Sequence, residues 1–238
     1  TNNNFKISSF NKYLITFIGL IFIYVFYLLI PLLYEKSWVQ NNIESKLLNE
    51  FKIALSTSAH ISYRILPAPH FLIKDSKILV DKDEKPKSIG EIKNLKVFLS
   101  QLNFFNKEKM NIKKIIIDNA NFTLLRTDIK LLNKVRNNKF SSKKIKINNS
   151  NIFIKDNLDE IISIIKINDA TLFFDNEKLL NLLNLNGEAF NIPFVFNFMN
   201  NGDLTGNEKI NFIVDSLRLD ILNNSVIKKN NPIVKKNI

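Results

Sequence analysis

At 238 residues the chain has room for one large domain or two small ones, and an apolar share of 45% is enough to bury a core. A net charge of +12 raises nucleic acid as a partner, but arginine occurs only at Arg64, Arg126, Arg136 and Arg218 and the lysines are scattered singly or in pairs. Base readout favours arginine and a binding surface needs clustering, so nucleic acid is set aside.

The absence of cysteine removes disulfide frameworks, thiolate metal sites and cysteine nucleophiles. His60 and His70 match no metal-ligand spacing, and neither metal nor cofactor is expected. A chain that opens at Thr1 and stops in NPIVKKNI is expected to be a piece of a longer protein.

The first element is YLITFIGLIFIYVFYLLIPLLY, Tyr13–Tyr34, with no charge over 22 positions. At about 1.5 Å per residue it reaches about 33 Å, enough to cross a hydrocarbon core. Tyr13 and Tyr34 stand where an aromatic belt would be, Phe17, Phe22 and Phe26 belong to the expected anchor, and Pro31 lies near the far end, where a kink is tolerated. The run is too long for a signal-peptide core and no small-residue cleavage site follows. Lys6 and Lys12 flank its start, whereas Glu35 and Lys36 cancel at its end. The positive-inside rule then places residues 1–12 in the cytoplasm as a short tail and exports the body.

Beyond the anchor, Val39, Ile43 and Leu47, with Leu48 and Phe51 beside them, form a helical stripe over Trp38–Phe51, read as continuing from the membrane. From about Ile61 the apolar spacing becomes two, the mark of strands with one buried face.

Four eleven-residue windows then align without gaps: HFLIKDSKILV from His70, KIIIDNANFTL from Lys114, KIKINNSNIFI from Lys144 and IIKINDATLFF from Ile164. Position four is always isoleucine, position six Asp or Asn, position seven small, and positions nine and eleven bulky. The five-residue step from Ile147 to Ile152 breaks the parity of a strand. Either one residue bulges out or the chain reverses over a tight turn, and both restore a single apolar face. Asp or Asn at the corner suits either, since both tolerate left-handed geometry.

Further strand-like pieces lie at Ile92–Leu99 and Ile192–Phe198, with turns at Gly187 and Gly202–Gly206 and a charged loop at Asp81–Lys85. From Asn223 the sequence reads as a linker or frayed end. The expected organisation is a tail at 1–12, an anchor at 13–34, a β-rich domain at 35–222 and a linker at 223–238. The expected fold is mainly β, with repeated short antiparallel strand pairs forming a curved, groove-like sheet and a short helix packed near its start.

These residues resemble the AsmA family. The resemblance lies in an N-terminal signal-anchor, a short helix, then ISYRILPAPHFLIKDSKILV and IGEIKNLKVFLSQLNFFNKEKMNIKKIIIDNANFTLLR, followed by KIKINNSNIFIKD and LLNLNGEAFNIPFVFNF. It covers roughly Tyr13 to Met199 and rests on patterns of residue class. The glycines that family members often carry between the helix and the first proline are absent from KIALSTSAHISYR. The resemblance implies a single-pass inner-membrane protein with a periplasmic β-rich body, associated with outer-membrane biogenesis and with phospholipid movement along a β-groove.

On that reading the partners are membrane lipid, the bilayer and an envelope protein. The residues expected to line the groove are Ile73, Ile78, Ile117, Phe122, Leu124, Ile147, Ile152, Ile154, Ile167, Leu172 and Phe174. The competing reading makes the same side chains the core of a closed layer. A non-enzymatic scaffold presenting strand edges to outer-membrane proteins is the alternative function. Catalysis is not expected, because no nucleophile–base arrangement, phosphate-cradling loop or metal spacing is found.

Overall fold

The computed structural model describes residues 9–58, 60–82, 85–126, 138–201 and 206–227. Helix α1, Ser9–Leu29, carries no charge after Lys12 and passes into a 3₁₀ turn at Ile30–Leu33 with the buried Pro31 at its start. Together they form one element long and apolar enough to cross a membrane. Tyr34 and Glu35 are extended, with ψ of 139° and 131°, so helix α2, Lys36–Phe51, begins afresh rather than continuing the span. Its stripe of Val39, Ile43, Leu47 and Phe51 is buried, while Leu48 turns to solvent. The helix stops at Lys52, whose left-handed φ of 58° returns its N–H to the carbonyls of Leu47 and Leu48.

Beyond α2 the described residues form one open, curved sheet of eleven strands with its connections. They are β1 (Ala54–Ser56), β2 (Ile61–Arg64), β3 (His70–Lys82), β4 (Lys85–Leu99), β5 (Ile112–Leu125), β6 (Lys144–Lys155), β7 (Ile161–Asp175), β8 (Leu180–Ala189), β9 (Ile192–Asn200), β10 (Gly206–Val214) and β11 (Leu219–Ile227). From β3 to β11 each strand pairs with the next, and β1 and β2 both pair with the free side of β3. All of these pairs are antiparallel except β5 with β6. The 223–238 linker therefore begins too early: Asn223 to Ile227 are the second half of β11, in register with β10 as far as Gly206. The Gly202 end of the second expected turn lies outside the described residues.

Each window forms one long strand, and the parity break is a bulge within it. Lys74 pairs with Asn94 and Ser76 with Ile92, enclosing the unpaired Asp75 and Lys93. The same interruption falls at Asn119 beside Asn149, and at Asn149 beside Asn168. Asp75, Asn119 and Asn149 take left-handed φ values of 53°, 57° and 47°. Because neighbouring strands bulge at the same level, the register is preserved across the irregularity, until the shift between β7 and β8 at Ile167/Asp169 absorbs it. The bulges thus lie in one row crossing β3 to β7.

The core sits on the inner face of the first strands. Val39, Ile43, Leu47 and Phe51 of α2, with Leu28 of α1, pack on Phe71, Ile73, Ile92, Leu95, Val97, Ile115, Ile117, Ala120 and Ile145. Many of these side chains are almost wholly removed from water, each burial stabilising by about 1.5–3 kcal/mol.

Candidate functional site

Residues paired across a sheet share a face, so the register assigns the inner surface row by row. One row runs Ile73, Leu95, Ile117, Ile147, Ala170, Leu185, Phe196, Phe212 and Ile221. A parallel row runs Phe71, Val97, Ile115, Ile145, Leu172, Leu183, Phe198 and Ile210. Beyond the bulges, Ile78, Gly90, Phe122, Ile152, Ile165, Ala189 and Ile192 continue the same face. The inner surface is therefore apolar across nine strands.

Helix α2 covers only its beginning. Ile73 and Ile117 are 0% and 3% exposed beneath it, so these two proposed groove residues belong to the sealed core. Ile78, Phe122, Ile147 and Leu172 are half-buried at the margin of that core. Ile167 and Phe174 are buried outside it, Ile167 beside Gly187 and Phe174 beneath the ammonium of Lys139. Leu124, Ile152 and Ile154 are half-buried and lie outside the α2 cluster.

Further side chains extend the apolar strip past α2 and are not among the expected lining: Leu183, Leu185, Phe194, Phe196, Ile210 and Phe212. Period-two alternation in LNLLNLNGEA, IPFVFNFMN and KINFIV carried that signal.

Two glycines lower the floor of this surface. A Cβ on Gly187 would sit 2.7 Å from the Lys166 carbonyl oxygen and 3.0 Å from the Phe194 ring. A Cβ on Gly90 would meet the Phe122 ring at 3.0 Å. In both places an aromatic ring from the adjoining strand lies over the glycine. One margin of the strip is polar: Asn181 donates to Asn200 Oδ1 and to the Asn138 carbonyl, both at 2.9 Å, and accepts from the Phe140 N–H at 2.8 Å. Glu208 is buried in the same row.

The outer face is mixed: Leu72 and Phe98 are buried there and Phe173 pairs with Leu182, with polar pairs set among them. Asn149 donates to Asp118 and Asn151 to Asn121, each at 3.1 Å, and Lys166 pairs with Glu188 at 3.1 Å. His70 stacks on Phe98 with ring centroids 4.8 Å apart, and its Nδ1 lies 2.7 Å from the Ala68 carbonyl, a structural setting.

In the anchor set, Tyr13, Phe17, Phe22 and Phe26 are exposed along α1, and Lys12 is exposed near its start. Tyr34 is half-buried. Lys6 lies outside the described residues. No family model matches the chain, and no curated protein is detectably similar to it.

Proposed function

We propose that this chain is a membrane-anchored, AsmA-like protein that binds or conducts phospholipid acyl chains along the inner face of its sheet, without catalysis, in outer-membrane biogenesis. The observation that carries this reading is the apolar strip running from the core under α2 past its end to Phe196 and Phe212. An apolar surface of that extent marks an interaction site. The helix long and apolar enough to span a bilayer supports an anchor, and the lysines before it favour a cytoplasmic N-terminus and a periplasmic body.

Burial is worth at most about 0.8 kcal/mol per methylene, so a sixteen-carbon tail gains on the order of 10 kcal/mol relative to water. A lipid leaving a bilayer gives up nearly the same amount. Transfer along an apolar strip is then close to thermoneutral, which suits a passive conduit.

The test is in-cell photo-crosslinking from single benzoyl-phenylalanine substitutions. The inner-face position Phe196 is expected to form phospholipid adducts, while its sequence neighbour Asn197, on the outer face, is not. Equal labelling at both, or none at either, overturns the reading. The edge-scaffold alternative draws on β11, which pairs only with β10 among the described residues and exposes Leu222 and Val226. Protein adducts at Leu222 with no lipid at Phe196 would favour it.

A further inference from the structure

The connection between β4 and β5 is fastened to the membrane helix at an unexpected height. Tyr24 donates to Gln101 Oε1 at 3.0 Å, Tyr27 to the Gln101 carbonyl at 2.6 Å, and Tyr34 to the Phe104 carbonyl. Tyr27 also stacks on Phe104 with centroids 5.4 Å apart and meets Phe105 at the same distance. Tyr24 precedes Tyr34 by ten residues, about 15 Å along a helix. The loop tip therefore lies alongside a stretch of α1 read as passing through lipid.

Its composition fits that position. Leu102 and Phe105 are 71% and 83% exposed. Phe105 closes an open notch of about 550 Å³ against Leu20, Ile23, Phe26 and Ile30. Immediately behind the tip the charge changes: Gln101–Ile117 holds Lys107, Lys109, Lys113 and Lys114 against the single acid Glu108. A second cleft, also about 550 Å³, starts at Gln101 and is lined by Ser100, Ala68, Lys113, Lys114 and Lys143. Lys143 is already paired with Glu50, and Lys114 lies 4.5 Å from the Phe98 ring centroid.

We infer that the Leu102–Phe105 tip is a foot immersed in the leaflet on the body's side, and that the lysine cleft behind it binds the phosphate of an anionic phospholipid headgroup. The inference rests on α1 being a membrane span. Apolar side chains at the tip and cations one step behind reproduce the order of a leaflet, acyl chains first and phosphates next. Two tyrosine hydroxyls tie the foot to α1 and a third, from Tyr34, ties it just past the end of the span, so the first strands of the sheet start at the membrane surface.

The chain has no cysteine, so one introduced residue can be labelled alone. The full chain in vesicles of phosphatidylcholine and phosphatidylglycerol carries an environment-sensitive fluorophore at Phe105→Cys, Phe22→Cys or Leu158→Cys. Phe105 and Phe22 labels are expected to be quenched by lipids brominated on their acyl chains, and Leu158 by aqueous iodide. If Phe22 escapes acyl quenching, the span itself is wrong. If Phe22 is quenched while Phe105 follows Leu158, the span stands and the foot is overturned. For the cleft, spin-labelled phosphatidylglycerol is expected to associate several-fold better than spin-labelled phosphatidylcholine. Lys113→Gln with Lys114→Gln should abolish the difference, and a preference absent in the native chain or surviving in the double variant overturns the headgroup site.

Discussion

The backbone N–H of Ala120 donates to the Ser150 hydroxyl oxygen at 3.0 Å, across the one parallel pairing among the described strands. Ser150 in turn donates to the Asn148 carbonyl at 2.7 Å. The ladder between β5 and β6 lapses at this level, and the hydroxyl supplies the acceptor that the partner backbone cannot. Both residues are buried. Ser150→Ala is expected to leave the Ala120 N–H unsatisfied and to lower stability by about 1–3 kcal/mol, read from the denaturant midpoint.

Asn119 holds a φ of 57° with its side chain exposed. Glycine adopts that conformation freely and β-branched residues resist it. Asn119→Gly should leave the thermal midpoint unchanged or slightly raised. Asn119→Val should cost about 1–2 kcal/mol. Equal midpoints for the two variants would mean that the bulge can flatten at little cost.

At Gly187 the obstacle to a side chain is a backbone atom, the Lys166 carbonyl oxygen, which cannot rotate away. Gly187→Ala must push β7 and β8 apart and is expected to cost about 1–3 kcal/mol. Hydrogen exchange should quicken in β7 and β8 before it does in β3.

Core and strip should respond differently to truncation. Ile43 is 0% exposed in the α2 cluster, and Ile43→Ala is expected to cost about 2–5 kcal/mol. Leu185→Ala, on the uncovered strip, should cost clearly less while weakening lipid labelling from the neighbouring Phe196 position. Comparable losses of stability would mean that the strip is packed as tightly as the core.

Tyr63 donates to the Leu28 carbonyl at 2.6 Å, and burial, helped by the nearby Tyr34, holds its phenol above the ordinary tyrosine range. The folded chain thus keeps a proton that the unfolded chain loses near pH 10, the usual tyrosine value. This contribution is intact below about pH 10 and is lost as the pH rises further. Wild type should lose stability more steeply above pH 10 than Tyr63→Phe in parallel pH-dependent melts.

The parts of this fold legible in the sequence were those written in side-chain period. The α2 stripe and the window isoleucines could be read because burial imposes spacing on residue type. A fifth copy, IGEIKNLKVFL in β4, has the same isoleucine at position four and asparagine at position six, with inner residues Gly90, Ile92, Leu95, Val97 and Leu99. Its pattern is masked because Gly90 and Leu95 stand where the other copies have a bulky and a small residue. Covering was illegible: Ile117 and Ile147 carry the same pattern, yet only Ile117 lies fully beneath α2, and helix placement is a long-range property. The tyrosine ties to Gln101 were equally silent, since no spacing links positions 77 residues apart.

Because five adjacent strands interrupt their pleat along a common line, the sheet behaves like folded cloth with a pressed crease. Removing a single residue on one side of that line would turn half a strand inside out, exposing its isoleucines and hiding its lysines. Adding an entire further strand at the β11 edge would disturb no existing phase. Such an architecture tolerates growth in whole units and resists small insertions within them, so a longer sheet can arise by duplication while its apolar face stays unbroken.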